Sequence, residues 1–134
     1  MIINKGVKMS NERKFSKCSK CGKIISFVNN VGPDVVCCGE TMQALKPNTT
    51  DAAQEKHVPA AVRENGKLIV TVGSTAHPMT EEHHIAWIVV ADSDRTQRVA
   101  LSSTQAPSAE FAVSSAQVTV YAYCNLHGLW TAQF

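Results

Sequence analysis

The chain ends in Gln117-Val118-Thr119-Val120-Tyr121-Ala122-Tyr123-Cys124-Asn125-Leu126-His127-Gly128-Leu129-Trp130-Thr131-Ala132-Gln133-Phe134. Gln117 to Tyr123 is rich in β-branched and aromatic residues and reads as a strand; Leu129 to Phe134 reads as another. Between them Cys124 and His127 place a thiolate and an imidazole three residues apart, at the point where the first strand gives out. Upstream, runs of the same kind recur between turn residues: Lys67 to Val72 after Glu64-Asn65-Gly66, then Ile85 to Val90, Gln97 to Leu101 and Phe111 to Val113. Their spacing, with almost no helical periodicity, predicts an all-β domain built as an antiparallel sandwich over residues 55–134.

The totals set bounds. A chain of 134 residues makes one domain, or one domain with a small appendage. A formal net charge of +2 is too small to argue for nucleic acid or a membrane surface as partner. Ile85 to Ala91, the longest apolar run, is far short of a membrane span. Met1-Ile2-Ile3 runs at once into Asn4 and Lys5, which is no signal-peptide core, so the cytoplasm is the expected setting. Reduced cysteines follow from that, and clusters of them point to metal before disulfides. Met9-Ser10-Asn11-Glu12 would serve as an ordinary start, so residues 1–11 read as a disordered extension.

Four of the five cysteines lie near the N-terminus, within residues 12–45. Cys18-Ser19-Lys20-Cys21-Gly22 is a C-x-x-C-G knuckle, in which both thiolates turn to one ion and the glycine permits the tight backbone. Ile24 to Val28 reads as a strand and Asn29 to Asp34 as a turn, and Val35-Val36 leads into Cys37-Cys38-Gly39. So short a module cannot hold together on an apolar core, and a metal staple is expected. Adjacent cysteines are unusual for a tetrahedral site, because neighbouring side chains diverge. A vicinal disulfide and a structural zinc are the alternatives, and spacing does not separate zinc from iron.

Residues 46–54 read as a polar linker, with Pro47-Asn48-Thr49-Thr50 breaking any regular pattern and Thr50 or Asp51 placed to cap a helical turn. Beyond it lie His57, His77 (ahead of Pro78), His83, His84 and His127, with Cys124 as the spare cysteine. A lone histidine is an ordinary surface residue, but this set read together points to a second, mixed-ligand metal site. His83 and His84 would point to opposite faces of a strand, so one of the two reaches it. Glu55 and Lys56 read from spacing alone as a solvated surface pair.

These motifs carry a resemblance. The chain is similar to the desulfoferrodoxins, the two-iron class of superoxide reductases, over essentially its whole length after Met9. It rests on Glu55-Lys56-His57-Val58-Pro59, His77-Pro78-Met79, Glu82-His83 and Cys124-Asn125-Leu126-His127-Gly128-Leu129-Trp130. The four-cysteine module resembles desulforedoxin, and the remainder a neelaredoxin-like domain. The resemblance implies a four-cysteine iron held by Cys18, Cys21, Cys37 and Cys38. It also implies a catalytic non-haem iron with His57, His77, His83 and His127 around it and Cys124 as axial thiolate. It implies an immunoglobulin-like fold for the sandwich, a homodimer and a rubredoxin-like electron donor. The substrate would be superoxide, reduced by one electron to hydrogen peroxide.

The chemistry of the residues agrees with that assignment. Neutral imidazoles suit iron(II), and an axial thiolate pushes electron density onto the metal, which favours donation of an electron and release of product. Lys56 adds positive charge where an anion must enter, so that capture weakens with salt, and it can hold the water that supplies a proton. Glu55 is implied as a carboxylate ligand once product has left. The amides of Leu126 and His127 are expected to donate to the Cys124 sulfur. Two other functions remain open: an electron carrier whose working centre is the four-cysteine site, and a superoxide dismutase.

Overall fold

In the computed structural model residues 12–134 are described, and they gather into two units, Arg13–Lys46 and one running from Pro47 to Phe134. The extension and the alternative start at Met9 lie outside the described residues. In the smaller unit β1 (Phe15–Lys17) pairs antiparallel with β2 (Ile24–Ser26) on one side and β5 (Gln43–Ala44) on the other. A separate hairpin joins β3 (Val36–Cys37) to β4 (Glu40–Thr41). Little is buried here beyond Phe15, Cys18 and Met42, so apolar packing alone does not account for the module.

The larger unit begins with a four-residue helix, α1 (Gln54–His57). Ala53 stands at its N-cap with no side-chain cap, so neither Thr50 nor Asp51 plays the capping part their chemistry suggested. Seven strands follow: β6 (Pro59–Glu64), β7 (Lys67–Val72), β8 (Ile85–Ala91), β9 (Thr96–Ala100), β10 (Ser108–Ala112), β11 (Thr119–Cys124) and β12 (Gly128–Gln133). They form two antiparallel sheets, ordered β10-β7-β6 and β12-β11-β8-β9. Alternate residues of each strand point inward: Leu68, Val70 and Val72 from β7, and Val120, Ala122 and Cys124 from β11, are wholly buried in one apolar cluster. β6 and β7 are joined through Asn65 (φ 52°) and Gly66 (φ 78°), the two positive-φ residues that a tight hairpin needs. β6 was not read from sequence. Its Pro59-Ala60-Ala61 opening lacks β-branched residues, but Pro59 is tolerated as the first residue of a strand at the sheet edge.

One end of this sandwich collects the chemistry. The C-terminal ends of β7 and β11 and the N-terminal ends of β6, β8 and β12 meet there, because neighbouring strands run antiparallel. Tyr123 pairs with Trp87 but Cys124 pairs with Ile85, so Ala86 is left over as a bulge at the point where the thiol must be aimed.

Candidate metal centres

In the smaller unit Gly22 takes φ 81°, and the knuckle closes with Gly22 N donating to Cys18 O (3.0 Å) and Cys18 N to Lys23 O (2.9 Å). The adjacent cysteines are reconciled by the β3–β4 turn. Cys38 (φ 52°) and Gly39 (φ 77°) are its two central residues, and this left-handed backbone swings the Cys38 side chain back beside Cys37. The four sulfurs lie within 4.8 Å of one another, with Cys21–Cys37 at 3.7 Å and Cys37–Cys38 at 4.0 Å. Thiolates about 2.3 Å from one tetrahedral ion stand about 3.8 Å apart, so the cradle fits a metal. At 4.0 Å the vicinal pair is not a disulfide, and all five cysteines are free. The Cys21 amide donates to Cys18 Sγ and pulls that thiol down to about 6, whereas the hydrogen bond with Cys18 pushes Cys37 up to about 12. Four thiols this close hold more than one negative charge only with a cation among them.

In the larger unit the sequence places four imidazoles on three segments: His57 on α1, His77 and His83 in the β7–β8 connection, and His127 in the β11–β12 turn. The rings close a square. Ring centroids are 4.6 Å apart for His57–His77, 4.6 Å for His77–His83, 5.0 Å for His83–His127 and 4.9 Å for His127–His57, each pair near perpendicular. His57 and His83 face each other across it at 6.2 Å, inclined by only 28°. His57 Nε2 stands 3.1 Å from His77 Nε2 and 3.1 Å from His127 Nδ1. Nitrogens about 2.1 Å from one ion and at right angles stand about 3.0 Å apart, which this spacing matches.

Their partners say which nitrogen is free. His57 Nδ1 lies 2.7 Å from Ala53 O and His77 Nδ1 2.6 Å from Pro78 O. A carbonyl only accepts, so both Nδ1 atoms carry the proton, and two bare Nε2 lone pairs are left facing each other. Burial keeps both rings neutral by lowering His57 and taking His77 down to about 4. His83 Nε2 is buried with no hydrogen-bond partner among the described residues. Converging lone pairs with nothing between them are repulsive, and a cation resolves this. The donor set, imidazole with one thiol, suits iron.

Cys124 completes the group. Its sulfur is fully buried and lies 3.8 Å from His127 Nδ1, and it belongs with His57, His77 and His83 to a set whose ligand atoms are within 4.8 Å of one another. Burial raises the thiol, while the amides of Leu126 and His127 pull it back down, the donors expected from sequence. Trp130, for which no role was read, stacks on His57 at 5.0 Å and donates its indole N–H to His127 O at 3.0 Å. Its position in the closing motif was the only signal. Tyr123 stacks instead on Trp87, across the strand pair.

His84 stays out of the square, with Nδ1 2.9 Å from Thr80 O. The reason differs from the one expected: neither His83 nor His84 is on a strand, since both lie in the loop ahead of β8. Lys56 lies in α1, whose backbone is tied by Thr75 N and Ser74 Oγ donating to Glu55 O (2.9 and 3.3 Å). Lys56 and Glu55 are exposed; the lysine charge lowers both His57 and His83, and the glutamate opposes it at His57. The linker is also anchored. Asn48 N donates to Leu129 O (3.0 Å) and the Asn48 side chain pairs with the Thr131 backbone (2.9 and 3.1 Å). A Cβ on Gly128 would lie 3.1 Å from Thr50 Oγ1, so Thr50 of the linker lies against the turn that carries His127.

Known proteins agree with this geometry. A family profile described as Desulfoferrodoxin matches residues 49–133, and one described as the Desulfoferrodoxin N-terminal domain matches residues 10–45. A desulfoferrodoxin homolog of Archaeoglobus fulgidus is 45% identical over 91% of this chain and 98% of its own. The desulfoferrodoxin of Nitratidesulfovibrio vulgaris is 42% identical over 93% of this chain and 99% of its own. Among solved structures, the superoxide reductase from Treponema pallidum is 36% identical and overlays with a TM-score of 0.74, covering 90% of this chain and 98% of that one. With both cysteine and histidine centres in the places those matches span, the chain belongs to the desulfoferrodoxin family.

Proposed function

We propose that the chain is a superoxide reductase, which gives superoxide one electron and two protons and releases hydrogen peroxide (O2•− + e− + 2 H+ → H2O2). The observation that carries the reading is the closed square of four imidazoles beside a buried thiol. The Treponema pallidum relative bears that activity in its name. His57, His77, His83, His127 and Cys124 would hold an iron, which would supply the electron, with the thiolate raising electron density at the metal.

The chain's own residues do the rest. Lys56 draws the anion in and holds the water that yields a proton, and Glu55 offers the carboxylate that caps the site after product leaves. The Leu126 and His127 amides temper the thiolate, and Trp130 stacks on the His57 ring while its indole N–H holds the His127 backbone. Cys18, Cys21, Cys37 and Cys38 hold the second iron. A rubredoxin-like donor restores the electron, and the cytoplasm is the setting. Among the described residues no helix is long and apolar enough to cross a membrane. A homodimer belongs to the same reading, supported by the exposed Val28, Val31 and Val36 on the four-cysteine module, which a second copy would cover.

The test is rapid mixing of the reduced, iron-loaded protein with superoxide, following iron oxidation, peroxide and dioxygen. Stoichiometric peroxide without dioxygen is expected. Dioxygen in equal amount would make the protein a dismutase. No reaction at a filled histidine site would leave an electron carrier, a reading favoured by the exposed Cys21 and Cys38 thiols, through which electrons could pass.

A further inference from the structure

Two of the four imidazoles are held at the ring by a backbone carbonyl, and a third histidine is held through its backbone. His57 and His77 donate from Nδ1 to Ala53 O and Pro78 O, and the His127 carbonyl is gripped by the Trp130 indole. His83 has a buried Nε2 with no hydrogen-bond partner among the described residues, and it lies in the bend ahead of β8. The direction of its Cα–Cβ bond must therefore come from the two peptide groups on either side of it.

Those peptide groups are held from across the site by one side chain. Asn125 Nδ2 donates to Glu82 O (2.9 Å), in the peptide before His83, and Asn125 Oδ1 accepts from His84 N (2.8 Å), in the peptide after it. Asn125 N adds a third bond to His84 O (3.2 Å). Within the loop Thr80 supplies the other restraint, through Thr80 N and Oγ1 to His83 O (2.9 and 3.2 Å) and His83 N to Thr80 Oγ1 (3.0 Å). Asn125 directly follows Cys124, so the same residue spans the thiol turn and the histidine loop. A carboxamide suits this role because it offers one donor and one acceptor in a plane, as a peptide does.

We infer that Asn125 is a positioning residue of the histidine centre, orienting His83 relative to Cys124 by clamping both peptides that flank it. This rests on the metal-site reading but not on the identity of the substrate. Asn125→Ala removes both side-chain bonds, whereas Asn125→Asp keeps the acceptor for His84 N and sets a carboxylate oxygen against Glu82 O.

The experiment is a double-mutant cycle on the ferrous holoprotein, with Asn125→Ala and His83→Ala singly and together, reading the rate at which a ferrous chelator removes iron from the histidine site. The four-cysteine iron serves as internal reference. Asn125→Ala is expected to speed iron loss about 10- to 100-fold, with Asn125→Asp in between. It should add nothing in the His83→Ala background, and its ferric electron-spin spectrum should move toward that of His83→Ala. Iron release at the wild-type rate in both Asn125 variants would overturn the assignment. So would an equal acceleration with and without His83, the mark of a general structural role. Because no superoxide is used, a wild-type chain that holds its iron yet leaves superoxide unreduced would fail the activity reading alone.

Discussion

His57 Nε2 faces two other ring nitrogens at 3.1 Å, and such contacts are tolerable because burial keeps His57 and His77 neutral and a cation is expected among them. Cys124 stands in the same relation: a buried thiol becomes a thiolate when a metal takes the charge. Cys124→Ser is therefore expected to reduce activity by about 100-fold or more while the four-cysteine iron stays bound. Full superoxide reduction by that variant would remove Cys124 from the site. Lys56 lies on a pinned backbone with its side chain exposed, and on the proposed reading it would act through its field. Lys56→Ala should slow superoxide capture about tenfold at low salt and flatten its dependence on ionic strength. An unchanged salt slope would rule out steering by Lys56. Ligand types and motif spacing were legible in the sequence at this scale. The Trp130 stack and the Asn125 clamp were not, since each depends on which groups meet across strands.

Two elements hold α1 and the β8–β9 turn where the site and core need them. Gly73 is buried against α1: a Cβ there would fall on the Glu55 carbonyl oxygen and lie 2.8 Å from Lys56 C. Gly73→Ala should push the helix that carries His57 away from the square. The expected cost is about 1–3 kcal/mol of stability, with faster iron loss, measured by thermal unfolding and metal content. Wild-type iron retention would mean that α1 yields without moving its histidine. At the end of β8, buried Asp92 accepts from Ser93 N and Ser115 N through Oδ1 (2.9 and 3.1 Å) and from Ser114 N through Oδ2 (2.9 Å). Hydrogen bonding from Ser115 and these amides holds its carboxyl well below the usual carboxylate range. Since the folded value is depressed, the stability it contributes is present above the unfolded value of about 3.9 and is lost as pH falls below that. Asp92→Asn should cost about 2 kcal/mol at neutral pH, and the gap to wild type should shrink below about pH 4 in urea titrations. A gap constant down to strong acid would contradict the account; iron loss in acid affects both proteins alike.

The two units differ in what holds them. The sandwich buries Leu68, Val70, Val72, Ile88, Val90, Val118 and Val120 completely, while the four-cysteine module has little buried beyond Phe15, Cys18 and Met42. Removing all iron should therefore release Arg13–Lys46 from its fold and leave β7, β8 and β11 protected, as read by amide hydrogen exchange. Equal protection of both units without metal would show that the module folds on packing alone. What could be read from the chain without its fold was local: the runs of strand, the knuckle with Gly22, the types of ligand and the family motifs. These depend on side-chain chemistry and near-neighbour spacing. Tertiary structure was needed for whatever depends on register between distant segments. His57 meets His127 across a separation of 70 residues, and Asn125 reaches His84 across 41. Sheet pairing placed β6 at an edge and brought four imidazoles from three segments into one square, while the loop ahead of β8 turned His83 and not His84 into it. No local pattern encodes those contacts, because each is set by how many residues lie between one strand pair and the next.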